Sequence, residues 1–203
     1  MAQPAPPQGG ELFPAFLKLA NRPVLVVGGG PVAASKLSAL LAAGARVTVI
    51  APDIVDAIAA LPVRVERREF QSSDLDDVWF VVAAAPREVN RAVSLAAGER
   101  RLFVNAVDDP THATAYLGGV VRKGGVTIAI STDGRAPALA GLIREGLEAV
   151  LPEDLDGWLE QSDSLRREWR SSGLPMEQRR PRLLDAINRL YEDRQAAAAG
   201  GVG

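Results

Sequence analysis

Residues 23–50, PVLVVGGGPVAASKLSALLAAGARVTVI, constrain this chain more than any other stretch. The run PVLVVG is β-branched and apolar on both faces, as a strand buried within a parallel sheet requires. Glycines 28–30 follow, then AASKLSALLAAG, a good helix former closed by Gly44 as its C-cap. A second β-branched run, RVTVI at 46–50, ends at Ala51-Pro52-Asp53. Strand, glycine turn, helix and strand within about 30 residues make a βαβ unit, whose crossover is expected to be right-handed.

The alternation continues. VRVERREF (63–70) predicts a strand with alternating faces, and WFVVAAA (79–85) a fully buried strand broken by Pro86. REVNRAVSLAAGE (87–99) predicts a helix and RLFVNAV (101–107) a fifth strand. Strands alternating with helices over residues 22–108 predict an α/β fold, a Rossmann-type doubly wound parallel sheet. After Pro110 the pattern changes. Residues 114–121 and 125–131 predict two strands joined by the turn Arg122-Lys123-Gly124-Gly125, followed by a helix from Ala136 to Val150. From Glu153 to Asp193 the spacing of Leu155, Trp158, Leu159 and Leu165 predicts an amphipathic helical segment.

Composition removes several functions. The sequence holds 203 residues, no cysteine and one histidine, His112. Disulfides, thiolate metal sites, cysteine nucleophiles and histidine-cluster metal sites are therefore excluded, and no protein metal site is expected. A net charge of −2 gives no general attraction to nucleic acid or anionic membranes. Lys18, Lys36 and Lys123 are the only lysines among 23 basic residues, so arginines, suited to carboxylates and phosphates, dominate. Residues 1–10 have no basic residue and no apolar run, unlike a signal peptide, and Val78–Ala85 is the longest apolar run. A soluble cytoplasmic protein is the expectation.

Three stretches carry chemistry. Gly28-Gly29-Gly30-Pro31-Val32-Ala33 fits the dinucleotide fingerprint G-x-G-x-x-A, here after a predicted strand and opening a helix. Gly28 permits the tight turn, Gly30 lets main-chain N–H groups approach a pyrophosphate, and Ala33 lets helix and sheet pack closely. Asp53, 20 residues after Ala33, stands where a ribose-binding carboxylate is expected, and equally reads as the N-cap of a short helix DIVDAIAAL. No arginine directly follows the second strand to hold a 2′-phosphate, which favours NAD over NADP.

In LFVNAVDDPTH (102–112) a buried strand delivers Asn105, Asp108 and Asp109 to its carboxyl end, where open α/β sheets bind ligands. Asp108, partly desolvated there, is the candidate proton acceptor. Asp-Asp-Pro is also a common turn starter, and His112 reads either as a proton relay or as a surface residue. In IAISTDGRAPALA (128–140), Ser131, Thr132 and Arg135 precede a helix start suited to carboxylates, with N-capping by Thr132 or Asp133 as the alternative.

Taken together, four segments give a resemblance: LFPAFLKLANRPVLVVGGGPVAASKLSALLAAGARVTVIAP, FVNAVDDPTH, VTIAISTDGRAPALAGLIREGLEAVLP, and the helical tail. From about Leu12 to Leu190 the chain resembles the precorrin-2 dehydrogenases, some of which are also sirohydrochlorin ferrochelatases. The same module forms the first part of multifunctional siroheme synthases. No methyltransferase module follows here, so the stand-alone form is expected.

The resemblance implies NAD-dependent oxidation of precorrin-2 to sirohydrochlorin, with Fe2+ as a further substrate where the chelatase activity is present. It implies a homodimer and assigns the key aspartate to Asp108. Cofactor contacts fall on Gly28, Gly29, Gly30, Pro31, Val32, Ala33, Pro52 and Asp53, and substrate contacts on Asn105, His112, Ser131, Thr132 and Arg135. Thr132 stands where some members carry a phosphorylated serine. Ala113 and Ala136 replace a frequent cysteine and serine, and Ala85-Pro86 replaces the usual Ala-Thr. The expected organisation is a tail (1–11), an NAD-binding domain (12–112), a dimerisation domain (113–150), a helical domain (151–195) and a second tail (196–203). A dehydrogenase of another polyanionic substrate, or a non-enzymatic NAD-binding interaction module, are the alternatives.

Overall fold

The computed structural model describes residues 11–200, with side chains through Glu192. By internal contacts the chain divides between Leu117 and Gly118 into two units.

In the first unit, the β-branched runs become five parallel strands: β1 (Pro23–Val27), β2 (Arg46–Ile50), β3 (Arg64–Glu66), β4 (Phe80–Ala83) and β5 (Phe103–Ala106). Their order is β3-β2-β1-β4-β5, the doubly wound arrangement in which β1 lies at the switch point. The register sets Val27 beside Ile50 and Ala83, and Ala83 beside Ala106, so β1, β2, β4 and β5 end level at the carboxyl edge.

Helix α1 (Pro31–Ala42) buries Ala33, Leu37 and Leu40 against Val24, Val26, Val47, Val49 and Val82. A short helix α2 (Asp56–Ala59) adds the fully buried Ile58 to that side. On the opposite face, α3 (Arg87–Glu99) packs Val93 and Ala97 onto Leu25, Val27, Val81 and Val104. Burial of apolar side chains on both faces is why these strands lack polar alternation. The strand expected over 63–70 is shorter. After Glu66 the chain turns, and Arg68 donates to both carboxylate oxygens of Asp74, at 2.8 and 2.7 Å.

The strand expected from residue 114 begins only at Gly119. Residues 114 and 115 instead run back along β5. Thr114 and Ala115 both donate their N–H groups to the Val104 carbonyl, and the Val104 N–H donates to the Thr114 hydroxyl.

The second unit holds an antiparallel hairpin, β6 (Gly119–Lys123) and β7 (Val126–Ile130). Its turn is the two-residue loop Gly124-Gly125, both with positive φ, rather than four residues starting at Arg122. Helix α4 (Pro137–Val150) packs on the hairpin, and Lys123 Nζ donates to the Leu151 carbonyl at 2.8 Å. The predicted continuous helical segment is two helices, α5 (Leu155–Ser171) and α6 (Met176–Gly200), broken around Gly173 and Pro175. Residues 196–200, read from sequence as tail, continue the α6 backbone, and 1–10 and 201–203 lie outside the described residues. Among the described residues no helix is long and apolar enough to cross a membrane.

Candidate active site

The glycine turn sits at the carboxyl end of β1, where the strand order reverses. Each glycine there answers a different demand. Gly28 has φ +127°, and a Cβ on it would lie 2.2 Å from the Ala84 carbonyl oxygen. Gly29 is packed from the other side, since a Cβ there would lie 1.9 Å from the Asp53 carbonyl oxygen. Gly30 meets nothing within 4 Å. The first two glycines are thus required by the fold itself, while the third opens onto free space.

Gly30 is also the N-cap of α1, which carries Pro31 in its first turn, no side-chain cap and no acidic residue there. The first-turn N–H groups have no intrahelical partner, and the helix dipole favours negative charge at that end. An open, uncapped 12-residue helix start beside a residue without a side chain fits a pyrophosphate. Pro31 and Val32 lie exposed at its rim, and Ala33 is fully buried against the sheet.

Pro52 and Asp53 flank the turn. The Val55 N–H donates to the Gly29 carbonyl at 2.9 Å, tying the loop after β2 to the glycines and leaving the Asp53 side chain exposed. Asp53 caps no helix: α2 starts at Asp56 with Val55 as its N-cap. The capping alternative for Asp53 therefore falls.

Two strands away on the same edge, β5 opens into a tightly bonded loop. The Val107 N–H donates to the Ala83 carbonyl at 2.9 Å, prolonging the ladder to the residue before Asp108. Asp108 has φ +57° and an exposed side chain, so the partial desolvation expected of it is not found. Burial falls on its neighbour. Asp109 is 6% exposed, and its Oδ2 lies 2.8 Å from His112 Nδ1. His112 and Ala113 both donate their N–H groups to the Asp109 carbonyl, which closes the loop. Asn105 is buried at 7% exposure, with its Nδ2 donating to the Ala115 carbonyl and its Oδ1 without a hydrogen-bond partner among the described residues.

From sequence Asn90, one amide in an amphipathic helix, reads as surface. In the structure it is 3% exposed and joins two strand exits. Its Oδ1 accepts from the Ala85 N–H at 2.9 Å, and its Nδ2 donates to the Val107 carbonyl at 3.4 Å. It therefore anchors the chain on either side of the edge between the glycine turn and Asp108.

In the second unit, Ser131 Oγ accepts from the Asp133 N–H, and Thr132 Oγ1 accepts from the Ala136 N–H, both at 3.2 Å. Ala136, not Thr132 or Asp133, is the N-cap of α4. Arg135 stays exposed, with Asp133 at 3.8 Å.

A parallel sheet of this order with an open glycine turn at its switch point defines a Rossmann-type dinucleotide-binding protein. A family model described as "Putative NAD(P)-binding" matches residues 15–119, just over half the chain, and the chain belongs to that NAD(P)-binding family. A second, described as "Sirohaem biosynthesis protein central", matches residues 123–149.

Among curated relatives, "Siroheme synthase 3" of Aeromonas hydrophila is 40% identical over 184 residues, covering 87% of this chain and 39% of that protein. "Siroheme synthase" of Photobacterium profundum is 42% identical over 150 residues, covering 71% of this chain and 32% of that protein. The chain thus spans about two fifths or less of the length of these relatives. A solved structure described as "SirC, precorrin-2 dehydrogenase" superposes with a TM-score of 0.68 at 27% identity, covering 87% of this chain and 89% of its own.

Proposed function

We propose that this chain oxidises precorrin-2 to sirohydrochlorin with NAD as the hydride acceptor. One observation carries the reading. The open helix start at Gly30 and the Asp108 loop leave the same sheet edge two strands apart. At the usual strand spacing that separation is about 10 Å, room for a dinucleotide against main chain with a substrate beyond it. The similarity to the precorrin-2 dehydrogenase structure and to the siroheme synthases supports this substrate.

Gly28, Gly29, Gly30, Pro31, Val32 and Ala33 would hold the pyrophosphate, and Asp53, beside Pro52, would meet the ribose. When bound, NAD supplies the electron sink at its nicotinamide ring. The protein positions the substrate and manages its charge. Hydride loss leaves positive charge on the macrocycle, and the exposed Asp108 carboxylate, on the loop facing it, stabilises that charge. Precorrin-2 carries several carboxylates, and Arg135 with its bonded turn at Ser131 and Thr132 offers a cation and hydroxyls suited to them.

Residues 113–150 act as the dimerisation segment in this reading. Leu139, Leu142 and Ile143 of α4 support it, since all three are exposed and share one apolar helix face. Fe2+ insertion into the product would use the nitrogens of the macrocycle as ligands.

An anaerobic assay with precorrin-2 and NAD+ tests the reading, followed by addition of Fe2+. Formation of NADH with the absorbance of sirohydrochlorin is expected. NAD binding without NADH formation would refute the proposal.

A further inference from the structure

We infer that His112, oriented by Asp109, is the proton acceptor of this reaction. The inference rests on the proposed oxidation and assigns its proton, which that reading leaves unassigned. From sequence Asp109 reads as a strand-end or a turn residue, and His112 as a proton relay or a surface residue; the structure pairs them. Asp109 is buried, and the one side-chain donor that reaches its carboxylate among the described residues is His112 Nδ1, at 2.8 Å. A buried carboxylate is costly unless it accepts hydrogen bonds, so the pair fixes the proton of the neutral ring on Nδ1. Nε2 is then the unprotonated nitrogen.

The His112 side chain is 28% exposed, whereas that of Asp109 is 7% exposed, so the ring spans from the buried acid to the surface of the loop that presents Asp108. This is the base-plus-orienter arrangement that general-base chemistry uses. Asp109 meets the ring through Nδ1; Asp108 lies on the same loop, and Tyr116 donates its hydroxyl to the Pro110 carbonyl of that loop at 3.1 Å. The loop is fixed by main-chain bonds from His112 and Ala113 to Asp109 and from Thr114 and Ala115 to Val104.

One C–H bond of precorrin-2 breaks and its electron pair leaves as hydride for the nicotinamide. The resulting substrate cation loses a second hydrogen as a proton, and that bonding pair stays in the macrocycle as a new double bond. The proton forms an N–H bond at Nε2, and Asp109 stabilises the imidazolium. Exposure of the ring lets the proton pass on to water.

Because the sequence contains a single histidine, its ring resonances need no assignment by mutation. Nitrogen NMR of the full chain at alkaline pH is expected to show the Nδ1–H tautomer, and Asp109→Asn to shift the ring population towards Nε2–H. An Nε2–H tautomer in the wild type would overturn the inference. The second measurement uses His112→Asn, whose amide nitrogen takes the place of Nδ1 and keeps the bond to Asp109 while removing the base.

Its turnover is expected to fall about 100-fold or more. The acid limb of the wild-type rate profile is expected to disappear. Wild-type turnover with an unchanged limb in His112→Asn would overturn the acceptor role alone. Absence of NADH formation by the wild type would overturn the oxidation reading and the acceptor role with it.

Discussion

The carbonyl oxygen of Asp53 stands 1.9 Å from the point a Cβ of residue 29 would occupy. The loop after β2 is therefore seated directly on the glycine turn, and the Val55 N–H to Gly29 carbonyl bond holds it there. The glycine that looks like filler within G-x-G is the one the fold tolerates least from this side. Backbone atoms, not a flexible side chain, make the contact.

Gly29→Ala and Gly30→Asp are accordingly expected to fail in opposite ways. The first forces two backbone segments apart and should cost about 1–3 kcal/mol of stability, read by chemical denaturation. The second meets open space at an ordinary φ of −90°, so folding should persist. Its carboxylate, however, would oppose the pyrophosphate, and calorimetry should show NAD affinity lost. Normal affinity in Gly30→Asp would contradict the cofactor placement.

Asp108→Asn should leave the thermal midpoint unchanged, because asparagine also accepts the left-handed conformation found there at φ +57°. NAD affinity should stay the same. Turnover should drop about 10- to 100-fold through loss of the charge, and unaltered turnover would remove Asp108 from the mechanism.

Removing the amide of Asn90 leaves the partly buried Ala85 N–H without its acceptor and frees the Val107 carbonyl. Asn90→Ala should cost about 1–3 kcal/mol in a denaturation experiment. Turnover should fall further than the loss of folded protein explains, since Asp108 directly follows Val107. Equal losses in folded fraction and in activity would limit Asn90 to a structural role.

The Arg68–Asp74 pair predicts a pH signature. Hydrogen bonding from Arg68 lowers the Asp74 pKa, with the Gln71 N–H as a smaller contributor, while partial burial opposes both. A lowered carboxylate pKa in the folded state stabilises above the unfolded value, near 3.9, and that contribution is lost as pH falls through the folded value. Arg68→Ala should melt below the wild type at pH 7, with the gap closing as pH falls below about 4. A gap that persists in acid would point to lost packing instead of charge.

The β1–α1–β2 unit was legible because local chemistry and tertiary demand agree there. Apolar runs, glycines at a turn and a helix opened by proline all give one answer. Strand β3 was overextended because VRVERREF alternates beyond Glu66, and nothing local reveals that Arg68 turns away to meet Asp74. Residues 114–118 looked like strand because nothing in their composition shows that Thr114 and Ala115 fold back onto Val104. At the site, the glycines and Asp108 carry sequence signals. Asp109 carries an ambiguous one, at a strand end yet before a proline, and Asn90 carries none, since one amide on a helix reads as solvated. Their roles come from burial and from partners brought close only by folding.

The ends of the parallel sheet have a consequence for assembly. On one flank β3 is three residues long and carries the Arg64–Glu66 ion pair, with Arg68 just beyond. On the other, the outer hydrogen-bonding groups of Val104 are taken by Thr114 and Ala115. A short charged border and an occupied one both discourage strand addition. A second molecule is then not expected to lengthen this parallel sheet, and runaway fibre growth from it is disfavoured.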